Sequence, residues 1–128
     1  MICIGDSIAT HPGLGNALHC NQVLAVKGVP SHYIIGEAER SGHDNICVIS
    51  AGSNDPMNVN LEANLEAIRR NVHCSIVVWV RPANRRASEI VGKVANEHGD
   101  KSVQVYPGSD GVHPKSYQEL ANAIKRTL

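Results

Sequence analysis

The chain has 128 residues, 42% apolar and 19% charged, which suits one domain with a proper core and is too apolar for a disordered tail. Twelve basic residues balance twelve acidic ones, so charge offers no footing for nucleic acid or an anionic membrane as the main partner. Phe is absent and aromatics total 3%, so the core has to be built from Val, Ile, Leu and Ala, as in parallel strands buried under helices.

Residues 1–5 read as a first strand that ends at a glycine. Residues 8–20 are broken by Pro12, Gly13 and Gly15, which predicts a loop with a short helix. Residues 22–27 form a second strand closed by Gly28, and Pro30 suits the first turn of a helix running to about Arg40. Asn45 to Ala51 is a third strand, closed by Gly52. Asn60 is placed to cap a helix whose apolar positions Leu61, Leu65, Ile68 and Val72 fall on one face. Ser75 to Val80 is a fourth strand, the longest apolar run and far too short to span a bilayer. Residues 84–98 form a helix ended by Gly99, Ser102 to Tyr106 a fifth strand, and Pro114 is placed to open a last helix.

This β-α alternation leaves no segment over and contains no repeat. It predicts a single α/β domain over residues 1–128, a three-layer α/β/α sandwich on a five-stranded parallel sheet. The flavodoxin-like order 2-1-3-4-5 is the expected arrangement.

Cys3, Cys20, Cys47 and Cys74 are widely spaced and never form CxxC, which excludes a zinc ribbon or a dithiol redox motif. Three sit in strand-like apolar runs and read as buried free thiols. Nothing before Cys3 has the make-up of a signal peptide, so a cytoplasmic, reducing compartment is the expectation. A processed, secreted or virion-associated chain, or an excised domain, would read the same way. His11, His19, His32, His43, His73 and His98 lack ligand-like spacing, so neither a metal nor another cofactor is expected.

In an open α/β sheet, ligands bind beyond the carboxyl ends of the strands. Those ends carry Gly5-Asp6-Ser7, Gly28, Gly52-Ser53-Asn54-Asp55, Arg81 and Asp110-Gly111-Val112-His113. One rim thereby collects the parts of a nucleophilic hydrolase. Ser7 needs a base, and His113 can supply one. Asp110, three residues earlier on a turn, can reach Nδ1 and leave Nε2 for the serine. The backbone N–H groups of Ser7 and Gly28 and the carboxamide of Asn54 follow three neighbouring strands and could converge on an oxyanion.

In these blocks the chain resembles the SGNH hydrolases, or GDSL esterases. Gly5-Asp6-Ser7 matches the family's first block, Gly28 its lone glycine, Gly52-Ser53-Asn54-Asp55 its GxND block and Asp110-Gly111-Val112-His113 its DxxH block. The resemblance runs in order from residue 5 to residue 114. It implies Ser7 as nucleophile, His113 as base oriented by Asp110, and Ser7, Gly28 and Asn54 as the oxyanion hole. Ile8 stands where leucine is common, and the connecting loops are short for the family.

Simpler roles compete for several of these residues. A serine after a strand commonly caps a helix, Asp6 suits backbone bonding, and Asp55 suits a turn or cap. Arg81, Arg85 and Arg86 read as a solvated helix start, or as attraction for an acidic substrate. Arg81 and Tyr106, the one ring near the rim, are the candidate substrate contacts. The expected activity is cleavage of a small acyl ester, free or polymer-borne, by an esterase or carbohydrate deacetylase working through an acyl-enzyme. A partner subunit or fused domain could complete the substrate site. The alternatives are a cell-wall lytic hydrolase, phage-borne or otherwise, and a non-catalytic binding module on the same fold.

Overall fold

The computed structural model describes all 128 residues. Five strands, β1 (Ile2–Gly5), β2 (Gln22–Ala25), β3 (His43–Ser50), β4 (His73–Arg81) and β5 (Lys101–Gln104), form one parallel sheet in the order β2-β1-β3-β4-β5. The order is the expected one. Four helices accompany them: α1 (Ser31–Glu39), α2 (Leu61–Arg70), α3 (Arg85–Glu97) and α4 (Tyr117–Arg126). No helix is long and apolar enough to cross a membrane.

Both sheet faces are buried because successive strand residues point to opposite sides. Ile2, Ile4, Cys47, Ile49, Val77 and Trp79 meet α1, α2 and α3 on one side. Cys3, Val48, Val78 and Val80 meet α4 and the segment after β1 on the other, where Ile8, Leu14 and Leu18 are buried. That segment takes the place of the first crossover helix. It is a 3₁₀ turn, Ser7–Ala9, followed by a wide π turn, His11–Gly15, because Pro12, Gly13 and Gly15 oppose a regular helix. The reduction leaves the end of β1 open.

Two helix starts differ from expectation. Pro114 does not open α4; it forms an isolated antiparallel bridge with Pro107, and Ser116 caps the helix by accepting from the Glu119 amide. Ser116 and Glu119 have the spacing of a capping box. Asn60 precedes α2 but its side chain makes no capping bond. Asp55 does cap, but from a distance: its carboxylate accepts from the amide and hydroxyl of Ser31 at the start of α1.

The cysteines are paired, not free. Cys3 is bonded to Cys20 and Cys47 to Cys74, with Cα atoms 6.1 and 5.7 Å apart. Each pair joins neighbouring strands or their flanks, a closeness that only the sheet order creates. A buried half-cystine in a strand carries the same apolar pattern as a buried thiol. With the thiols gone, the argument they gave for a reducing compartment is gone too.

Glu37 lies on the buried side of α1, 1% exposed, and neither carboxyl oxygen has a hydrogen-bond partner. Burial pushes its pKa up to about 8; the Arg40 charge opposes the rise and the Asp6 charge adds to it. The folded protein therefore holds a proton that the unfolded chain has lost at neutral pH. Stability from this group is full below the unfolded carboxyl pKa and declines as pH rises to about 8. Glu37→Leu is expected to raise Tm at pH 8 and to flatten the dependence of Tm on pH between about 6 and 8. Thermal melts across that range check it; an unchanged slope in the variant would refute the assignment.

Candidate active site

The site begins with a glycine that permits no substitute. Gly5 has φ +143°, and a Cβ there would lie 1.9 Å from the Ser50 carbonyl oxygen on β3. The close approach lets the chain leave β1 and turn at once. Asp6, wholly buried, fixes that turn: Oδ1 accepts from the Ile8 amide at 3.1 Å and from the Ser50 hydroxyl at 2.8 Å. Burial pushes its pKa up to about 6 against those two bonds, the Ser53 hydroxyl and the His113 charge. Asp6 thus holds the backbone under Ser7 and leaves the reacting groups to others.

Ser7 Oγ lies 2.7 Å from His113 Nε2, and His113 Nδ1 lies 2.6 Å from Asp110 Oδ2. The other carboxylate oxygen, Oδ1, accepts from the amides of Val112 and His113, both at 2.9 Å. These bonds, the Val112 amide first and the His113 ring next, hold the Asp110 pKa down at about 2. An ionised Asp110 can only accept, so Nδ1 carries the proton and Nε2 is the acceptor facing the serine.

Asp110 and His113 belong to a small hairpin. The Gly108 amide donates to the His113 carbonyl and the Lys115 amide to the Tyr106 carbonyl, each at 2.9 Å. The turn passes through Gly111 at φ +74°, a conformation glycine adopts without strain. Ser7 comes from the other end of the chain, so the hairpin has to fold over the end of β1 to meet it.

On the far side of Ser7, Asn54 Nδ2 donates to the Val29 carbonyl at 3.0 Å. That bond ties the loop after β3 to the loop after β2 and sets Asn54 beside Gly28. A carboxamide has two N–H donors, and this bond uses one. The amides of Ser7 and Gly28 donate to no protein acceptor. Three unspent donors thus follow the adjacent strands β2, β1 and β3.

Arg81 is not part of this rim. Its Nε donates to the carbonyl and hydroxyl of Ser88, and the guanidinium packs over Gly92 on α3. Strand alternation explains it: Val80 faces α4, so Arg81 faces α3. Arg86 is structural too, donating to the Pro56 and Asn58 carbonyls and bracing the loop that carries Asn54. Arg85 is exposed and pairs only with Glu89. Tyr106 is 77% exposed on the hairpin and lines a groove on its outer side.

Apart from Ser53, Gly111 and Val112, the residues that form a cleft of about 290 Å3 at the turn between Asp110 and His113 were not singled out from sequence. Pro56, Pro82, Pro107 and Val112 wall it, and Ser53 and Asn84 supply its polar atoms. Each proline follows a strand end, which was the available signal. Comparison of the chain with models of known protein families, with curated proteins and with solved structures finds no match.

Proposed function

We propose that this protein is a serine hydrolase of SGNH type that cleaves small acyl esters through an acyl-enzyme. The observation that carries the reading is the continuous chain of short contacts from Ser7 Oγ through His113 to Asp110. His113 Nε2 takes the serine proton as Oγ adds to the ester carbonyl. The oxyanion is met by the amides of Ser7 and Gly28 and by the second N–H of Asn54. The protonated imidazole, balanced by Asp110, then returns the proton to the departing alcohol. Water activated by the same His113 releases the acid. The Ser7 hydroxyl is already within proton-transfer distance, so no rearrangement is needed for the first step.

The proline-walled cleft supports a short acyl group. Its volume of about 290 Å3 lies at the lower limit of small-molecule sites, and rigid rings surround it. A longer chain would leave the cleft for water and forgo most of the roughly 0.8 kcal/mol available per buried methylene. In kcat/KM across p-nitrophenyl esters from acetyl to decanoyl, the shortest esters are expected to be best. A steady rise towards decanoyl would refute the short-acyl reading, and no turnover of any ester would refute the hydrolase reading. The paired cysteines favour an oxidising location for this activity over the cytoplasm.

A further inference from the structure

The flank of the sheet beside β5 has no cover. β5 is the last strand, so its outer edge meets no other strand. The Val105 amide donates back to the Arg81 carbonyl on β4, so by alternation the backbone groups of Ser102 and Gln104 point away from the sheet. α4 stands beside this edge, and between the two runs a groove of about 500 Å3. From the helix, Glu119, Asn122, Ala123 and Arg126 line it. Their spacing, i, i+3, i+4 and i+7, makes a single stripe along α4. A small residue sits at its middle and opposite charges stand at its two ends. Glu119 and Arg126 are both exposed, and neither forms an ion pair. Seven residues at about 1.5 Å each set their backbones roughly 10 Å apart, too far for them to meet each other. On α3, by contrast, Arg85 pairs with Glu89 one turn away, and Lys93 reaches Glu62 on α2.

We propose that this face binds a second copy of the chain across a twofold axis, with the two α4 helices side by side and antiparallel. The stripe is complementary to itself in that arrangement alone. An axis passing between Asn122 and Ala123 sets each Glu119 opposite the Arg126 of the second copy, because both residues lie equally far from that point. Parallel helices would set Glu119 against Glu119 and Arg126 against Arg126, so the charges select the antiparallel direction. Ala123, beside the axis, lets the two helices approach closely. The same contact shields the bare edge of β5, which forms the other wall of the groove. Lys115, the remaining charge in the lining, is exposed on the hairpin and lies outside the stripe. A stripe with one charge of each sign suits neither a polyanion nor a polycation. This contact asks nothing of Ser7, Asp110 or His113, so it is independent of the hydrolase reading.

Sedimentation equilibrium of the full chain tests it. The wild-type protein is expected to be dimeric at about 100 µM, and to dissociate on dilution and more readily as salt is raised. Glu119→Arg and Arg126→Glu, each alone, are expected to raise the dimer Kd about tenfold or more by setting like charges together. An equimolar mixture of the two variant proteins is expected to associate again as a heterodimer, with a Kd within about threefold of the wild-type value, because the altered ends are complementary to one another. A substitution that merely frayed α4 would leave that mixture monomeric, and this result would overturn the proposal. Lys125→Glu makes the same change of charge on an exposed residue of α4 outside the groove and is expected to leave the Kd unchanged. An equal loss there would trace the effect to net charge and overturn the stripe. A wild-type protein that stays monomeric at about 100 µM would leave the groove to some other occupant and overturn the proposal outright.

Discussion

Ser7→Ala is expected to fold normally and to lose ester turnover by on the order of four decades or more. The hydroxyl has one side-chain partner, His113, so its removal costs the fold a single hydrogen bond. It costs the chemistry the only atom able to form the acyl-enzyme. A fluorophosphonate, which labels activated serines, should modify the wild-type protein once and the variant not at all. Melting temperature measured on the same preparations separates lost chemistry from lost structure. Near-normal turnover in a folded Ser7→Ala would remove the proposed nucleophile. A wild-type protein that neither labels nor turns over esters would be a binding module that keeps the fold.

Asn54→Ala carries the next largest expected effect. If its second N–H meets the oxyanion, kcat should fall by about two to three decades, on the order of 3 kcal/mol, with KM little changed. The bond from Nδ2 to the Val29 carbonyl will be lost as well. A single partly exposed hydrogen bond is worth about 1 kcal/mol, so Tm should drop by only a few degrees. The two consequences have different sizes and different readouts. A variant that melts lower but keeps its kcat would make Asn54 a tie between loops and nothing more.

How far the sequence carries is seen best in particular residues. Alternating β-branched runs separated by single helical stretches were enough for a parallel sheet with two buried faces; the order 2-1-3-4-5 was the flavodoxin-like expectation, which the alternation alone does not fix and the structure supplies. The dyad was legible because Asp110 and His113 are three residues apart and need only a turn. Ser7 was legible because a short strand ends directly before it. Arg81 misled because its place after a strand was clear while its direction was not; one residue of alternation turns it onto α3. The cystines were hidden because pairing depends on which strands become neighbours, and nothing in the local pattern around Cys47 announces Cys74. Pro114 was read as a helix start, but the chain spends it in the hairpin and leaves capping to Ser116. Glu37 was passed over because a lone acid in an amphipathic helix is ordinarily solvated. Only the packed orientation of α1 turns it inward.

The hairpin of residues 106–115 hangs between β5, a four-residue strand at the edge of the sheet, and α4, the last helix. Ser7 is anchored at the other extreme, beside an interior strand with neighbours on both sides. On the hydrolase reading, base and orienter therefore belong to one edge of the molecule, the nucleophile and Asn54 follow interior strands, and Gly28 follows the strand at the opposite edge. Local opening at the periphery, well short of global unfolding, would carry Asp110 and His113 away together and leave an intact serine without a base. On the hydrolase reading, catalytic competence would be a property of the edge strand's docking, lost and regained while the rest of the sheet stays closed.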